Sequence, residues 1–206
     1  VEVVREGRLV INNVTRSASM YYLKTIYTIL LSILSILMNI PYPFIPFQMT
    51  LLDMFIEGFP SFMILFERNI EKPKESIGHH AMRFSLPNAL AIVLSVAGIR
   101  LLAPTLQLSL AETFSVLYFT TAFVSIHMIY RIYKPLNWYR GGVLIIDIIG
   151  FILSTPIFWP LLEMHVLTPK LIQIILITIV ISIPVLIILT RSVSYYLKNL
   201  NSKKAL

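Results

Sequence analysis

Long apolar runs constrain this chain more than any other feature. They recur from residue 17 to residue 190, each about as long as a helix needs to cross ~30 Å of hydrocarbon. Lipid offers the backbone no hydrogen bonds, so a spanning segment must satisfy its own N–H and C=O groups, as a helix does within each run. The predicted fold is all-α: a polytopic membrane protein built as a bundle of six transmembrane helices. The spans read as 17–40, 46–67, 86–103, 112–133, 141–162 and 170–190. Composition agrees, because 57% of the 206 residues are hydrophobic and 13% are charged, outside the usual soluble range. Cysteine is absent, which excludes a disulfide framework, a thiolate metal site and a thiol nucleophile.

Charge then sets the orientation. A net charge of +7 could point to nucleic acid, but the basic residues lie between apolar runs and read as topology signals. With both termini in the cytoplasm, the inner side holds Arg5, Arg8, Arg16, Arg68, Lys72, Lys74, Arg83, Arg131, Lys134, Arg140, Arg191, Lys198, Lys203 and Lys204. The outer side then holds Lys170 and Arg100. Cytoplasmic loops carry the excess of Lys and Arg, so the chain is expected to be multi-pass in the cell membrane with both termini cytoplasmic. Its partner is then the lipid bilayer, with no nucleic acid. The first residue is Val and no cleavable signal precedes the first run, so the chain is expected to be a fragment. Asn39 with Pro41, Pro43 and Pro46 predicts a tight turn between the first two spans. Residues 67–83 are expected to form a charged loop with a short amphipathic piece. Within it, His79 and His80 read as exposed, since adjacent histidines are not metal-ligand spacing.

The second span carries the sharpest functional signal. Its sequence, PFQMTLLDMFIEGFPSFMILFE at 46–67, places Asp53 and Glu57 near the middle. Carboxylates at that depth cost about 2.5–3.5 kcal/mol each and call for polar compensation. Spaced i and i+4, they share one helical face, with Thr50 a turn before and Ser61 a turn after. Pro60 has no N–H, so in a regular helix the carbonyl of Ile56 loses its partner. Two carboxylates, a hydroxyl and a freed carbonyl make a hard-oxygen cluster suited to a cation. The bland alternative is a buried acid pair held by hydrogen bonds or by Lys24, with nothing transported.

GRLVINNV at 7–14, followed by a helix and by IPFQMTLLDMFIEGFPSF at 45–62, resembles the C-terminal part of cation-transporting P-type ATPases. The resemblance points to the bacterial branch of calcium and related cation exporters. In that family a G-R-x-x-x-N-N segment leaves the phosphorylation domain and becomes the fifth transmembrane helix. A P-x-Q-L-x-x-x-(N/D)-x-x-x-(D/E)-G-x-P run forms the sixth. The resemblance implies that residues 1–16 are the tail of the phosphorylation domain and a cytosolic stalk, and that 17–67 is a helix hairpin carrying the ion site. Residues 68–85 would be a cytosolic loop, 86–190 four further transmembrane helices, and 191–206 a basic cytosolic tail.

Glu57 stands where the family has its acid before Gly-x-Pro, and Asp53 where calcium pumps have an asparagine, so both are implied ion ligands. Two fifth-helix positions that carry amide and carboxylate ligands in calcium pumps match Thr25 and Thr28. That departure removes a charged ligand and implies one ion site rather than two. The threonines either ligate or bond their own backbone. Lys24 beside them reads as a snorkelling residue or as an internal counter-ion.

The implied function is the membrane-embedded C-terminal part of an ATP-driven pump that exports a cation. Calcium comes first and magnesium or manganese next, because the ligands are hard oxygens. ATP and magnesium would be held by cytosolic domains in the missing N-terminal half of the pump. No D-K-T-G-T, T-G-E or G-D-G-x-N-D motif occurs in these residues, so this chain by itself is not expected to be phosphorylated. The rival reading is a non-catalytic membrane module or a truncated pump fragment without transport activity of its own. A secondary transporter would carry repeated halves with matching broken helices, and one broken helix is found. Asp147 is a second candidate for the ion path or a polar contact between helices. Glu112, at the end of a later span, is a weaker candidate than Asp147, and His127 and His165 receive no role.

Overall fold

The computed structural model describes residues 2–72 and 76–204, with side chains to residue 199. Lys74, and the side chains of Lys203 and Lys204, lie outside the described residues. Every regular element described is helical: α1 (Glu2–Met38), α2 (Pro46–Asp53), a π-helical turn (Met54–Gly58), α3 (Phe59–Ile64), α4 (Ile77–Leu102), α5 (Leu110–Tyr133), α6 (Trp138–Ile157) and α7 (Pro169–Lys204). A single 3₁₀ turn at Trp159–Leu161 follows α6. Five helices, α1 and α4 to α7, are long and apolar enough to cross a membrane. The run α2–π-turn–α3 supplies the broken sixth crossing, and the chain is an all-α polytopic membrane protein.

Helix ends follow local chemistry. Asn39 adopts φ 51°, a left-handed conformation that Asn tolerates, and Ile40 N–H reaches back to the Ser35 carbonyl at 3.0 Å. The chain therefore reverses at Asn39 and the prolines, as the sequence predicts. Ser109 and Glu112 form a complete capping box at the start of α5, and Asn137 caps α6 through the Arg140 N–H at 2.8 Å. These side chains satisfy amide groups that a helix start leaves without intrahelical partners.

Three boundaries differ from the sequence reading. Helix α1 begins at Glu2 rather than near residue 17, and α7 continues beyond residue 190 to Lys204. Hydropathy marks where lipid ends, whereas helical hydrogen bonding continues into water. Helix α4 begins at Ile77, where Ser76 caps it by accepting the His79 N–H. His79 and His80 are therefore half-buried helical residues and not exposed loop residues. The His80 ring lies 4.6 Å from that of Phe84, and its Nδ1 is 3.1 Å from Ser19 Oγ.

Helix α4 packs against α1, α5 and α7. Against α1 the contact uses small residues: Ser85 Oγ donates to the Ser19 carbonyl at 2.6 Å, beside fully buried Ala81 and Ala89. Close approach through small side chains is how membrane helices gain packing energy when lipid is as apolar as they are. Helix α5 is the core of the bundle, with 72% of its apolar window buried against 22% in α1 and α7. The outward faces of the others, such as Ile152, Leu153 and Ile157 on α6, are apolar and exposed, as a lipid-facing surface requires.

Candidate cation site

Pro60 shapes the broken helix. Its ring would clash with the carbonyl four residues back and it has no N–H to offer. The chain relieves this by widening one turn: Phe59 N–H donates to the Met54 carbonyl, five residues back rather than four. The break is thus a π-turn inside a continuous helical path, and π-turns concentrate at functional sites. Asp53 ends α2 and Glu57 lies within the π-turn. Beyond the break, carbonyls are claimed by phenols: Tyr133 donates to Pro60 O at 3.0 Å and Tyr139 to Met63 O at 2.6 Å.

Helix α1 presents a stripe of Met20, Leu23, Tyr27 and Leu31, all fully buried, at the i, i+3, i+7, i+11 spacing of one helical face. This register brings Lys24 to Asp53, with Nζ 2.5 Å from Oδ2. Lys24 is thereby an internal partner of the acid pair rather than a residue snorkelling to the interface. The other Asp53 oxygen, Oδ1, is buried without a hydrogen-bond partner, and so is Glu57 Oε1; Glu57 as a whole is 6% exposed.

Three hydroxyls complete the cluster: Tyr27 Oη, Thr28 Oγ1 and Tyr42 Oη are also buried and unpartnered. Tyr27 and Tyr42 lie within electrostatic range of Asp53, and Tyr27 of Glu57. Thr28 adjoins Tyr42 but misses hydrogen-bond geometry. An unsatisfied buried polar group costs about 1–3 kcal/mol. Several such groups lie in and beside this turn, and a cation or ordered waters would satisfy them. All five atoms are oxygens with free lone pairs, the donor set of calcium and magnesium.

Not every predicted oxygen joins them. Thr25 is exposed and its hydroxyl bonds the Tyr21 carbonyl at 3.0 Å; Thr50 is exposed and bonds the Pro46 carbonyl at 3.0 Å. Ser61 is buried, yet its hydroxyl points at Met20 Sδ, 3.5 Å away. The hydroxyls within electrostatic range of the acids belong to Tyr27 and Tyr42, which the sequence reading missed. Tyr27 could have been found by its position one turn after Lys24. Among the described residues no three His, Asp or Glu side chains converge as a metal site, so the cluster is two carboxylates plus hydroxyls.

Two further features frame the site. At one end of the bundle Glu67 is clamped between Arg16 Nη1, at 2.5 Å, and Arg140 Nη2, at 2.6 Å, joining α1 and α6 just past α3. The GRLVINNV segment contributes there: Asn12 Nδ2 donates to the carbonyls of Asn69 and Glu71, both at 2.9 Å. On the far side of the π-turn, Phe55 packs against Phe151, and the Gly150 position leaves only 2.7 Å between a notional Cβ and the Phe55 ring. Asp147, a turn before Phe151 on α6, is 1% exposed with both carboxylate oxygens unpartnered. No hydrogen bond therefore joins it to a neighbouring helix.

Comparison with known proteins bears on the family of the chain. The chain is 31% identical over 179 residues to "Probable cation-transporting ATPase exp7" of Streptococcus pneumoniae, an alignment covering 82% of this chain. The chain is homologous to the cation-transporting P-type ATPases. It is also 33% identical over 100 residues, 44% of its length, to the calcium-transporting ATPase CtpE of Mycolicibacterium smegmatis and to that of Mycobacterium bovis. The matched stretch is 23% of the pneumococcal protein and 13% and 12% of the other two, so the chain spans under a quarter of the length of these relatives. No family model matches it. The six helical crossings fit the C-terminal transmembrane part of such an ATPase.

Proposed function

We propose that this chain is the cation-binding membrane part of an ATP-driven P-type pump, with Asp53 and Glu57 as the charged ligands and Tyr27, Thr28 and Tyr42 as neutral oxygen ligands. One observation carries the reading: carboxylate and hydroxyl oxygens without partners gather around a π-turn in the middle of a membrane crossing. Intramembrane acids in such a setting mark ion paths. Lys24 holds one Asp53 oxygen, so the three charged groups together carry a single negative charge when ionised. That balance favours one divalent ion over two. Calcium is the first choice because the donors are hard oxygens and two relatives bear calcium in their names; magnesium and manganese follow.

In the intact pump, a phosphorylation cycle in cytosolic domains would tilt α1 and the broken helix between inward- and outward-facing states. Lys24 would act as a tethered cation that returns to the acids when the transported ion leaves. The test is ATP-driven uptake of calcium, magnesium and manganese into inside-out vesicles containing the intact pump. Saturable calcium uptake that is absent without ATP is expected. Equal ATP-dependent phosphorylation with and without every cation would instead favour a module that carries no ion.

A further inference from the structure

A cavity of about 350 Å³ opens between α4, α5 and α7, at the bundle end that carries the Arg16–Glu67–Arg140 clamp. Its lining changes character along the helix axes. Away from that end it is apolar, formed by Leu186 and Ile187 with the Phe84 ring at the boundary; at that end it is cationic, formed by Arg131, Lys134 and Arg191. Arg131 is held in place by a hydrogen bond to Thr190 Oγ1 at 3.1 Å and by the Phe84 ring, 5.1 Å from its guanidinium carbon. A second guanidinium, that of Arg83, lies 5.0 Å from the same ring. Lys134 Nζ stands 4.4 Å over Tyr130. No described carboxylate pairs with Arg131, Lys134 or Arg191.

We propose that this cavity binds an anionic phospholipid, the phosphate between Arg131, Lys134 and Arg191 and an acyl chain along Phe84, Leu186 and Ile187. Arg131, Lys134 and Arg191, gathered in a partly buried pocket with no described carboxylate paired to them, attract an anion. Basic pockets between membrane helices at the headgroup level take lipid phosphates, whose charge they complement. A free anion would leave the apolar half wet, whereas a lipid fills both halves in the order in which the lining presents them. Ile187 is half exposed to the bilayer side, which gives an acyl chain a lateral way in. The site lies apart from Asp53 and Glu57, and its occupancy does not depend on transport.

The experiment follows the thermal unfolding midpoint of the detergent-solubilised full-length protein during titration with dioctanoyl phosphatidylglycerol. Dioctanoyl phosphatidylcholine and inorganic phosphate are titrated in parallel. Phosphatidylglycerol is expected to raise the midpoint saturably, and the other two are not. In Arg131→Gln/Arg191→Gln the half-saturating concentration should rise about tenfold or more, because each cation near an anionic headgroup adds to affinity. Should that double variant fail to fold, Ile187→Trp fills the apolar half from the lipid-exposed side and is expected to remove the phosphatidylglycerol shift while leaving the cations in place. An equal shift with phosphatidylcholine would reduce the effect to nonspecific lipid, and an equal shift with inorganic phosphate would make this a free-anion site. An undiminished shift in the arginine double variant or in Ile187→Trp would place the lipid elsewhere.

Discussion

At the residue scale, the two acids were legible and the buried hydroxyls in their electrostatic range were not. Asp53 and Glu57 stand out because a carboxylate inside an apolar run is costly wherever the run folds. A tyrosine gives no such signal, since its ring suits a core and its hydroxyl suits an interface. That Tyr27 faces the acids' side of α1 depends on the rotation of the helix, set by the buried stripe from Met20 to Leu31. The same rotation separates the two threonines, which stand three residues apart and so on neighbouring parts of one helix face. Thr28→Ala is expected to weaken cation affinity by about fivefold, equivalent to ~1 kcal/mol for a lost neutral oxygen ligand. Thr25→Ala should leave affinity unchanged, since its hydroxyl is turned to its own backbone. Cation titration of phosphoenzyme formation in both variants checks the assignment, and equal losses would mean that α1 is rotated from the register described.

At the scale of elements, Pro60 announced a break, and the physical form of the break was a widened turn rather than an unwound one. Propensity identifies where a regular helix fails, while neighbouring helices decide how it fails. Here Phe55 is wedged toward Gly150 and Phe151 of α6. A methyl group on residue 150 must displace that ring, and overpacking of this kind costs about 1–3 kcal/mol. Gly150→Ala is therefore expected to weaken cation binding without touching a ligand, because Phe55 lies in the same turn as Glu57. The control is Gly142→Ala, where the added carbon meets nothing within 4 Å. Identical cation affinities in the two variants would show that α6 does not brace the turn. The start of α4 was harder to read, because His79 occupies the position where a capping box carries Glu or Gln. Ser109 with Glu112 has the full signature, and the start of α5 was read to within two residues.

At the scale of the whole molecule, apolar runs and basic residues together outlined six crossings, and five long helices plus one broken one fill them. The long-range tie through Glu67 was beyond sequence reasoning, since Arg16 and Arg140 lie 51 and 73 residues away from it. The positive-inside rule predicts an orientation with both termini cytoplasmic. A cysteine placed at residue 137 should be labelled only from the cytoplasm and one at residue 107 only from outside; residue 75, a third natural probe position, lies outside the described residues. Labelling of residue 137 from outside in intact cells would invert the topology. The central claim, that the broken crossing carries an ion, is tested most directly by Glu57→Gln in the intact pump. The measurement is phosphoenzyme formation against cation concentration, beside Ser32→Ala, an exposed residue whose hydroxyl bonds the Thr28 carbonyl. The account expects Glu57→Gln to raise the half-maximal cation concentration by at least about tenfold, ~1.4 kcal/mol, with Ser32→Ala like wild type. A wild-type cation dependence in Glu57→Gln would make the acid pair structural and contradict the account.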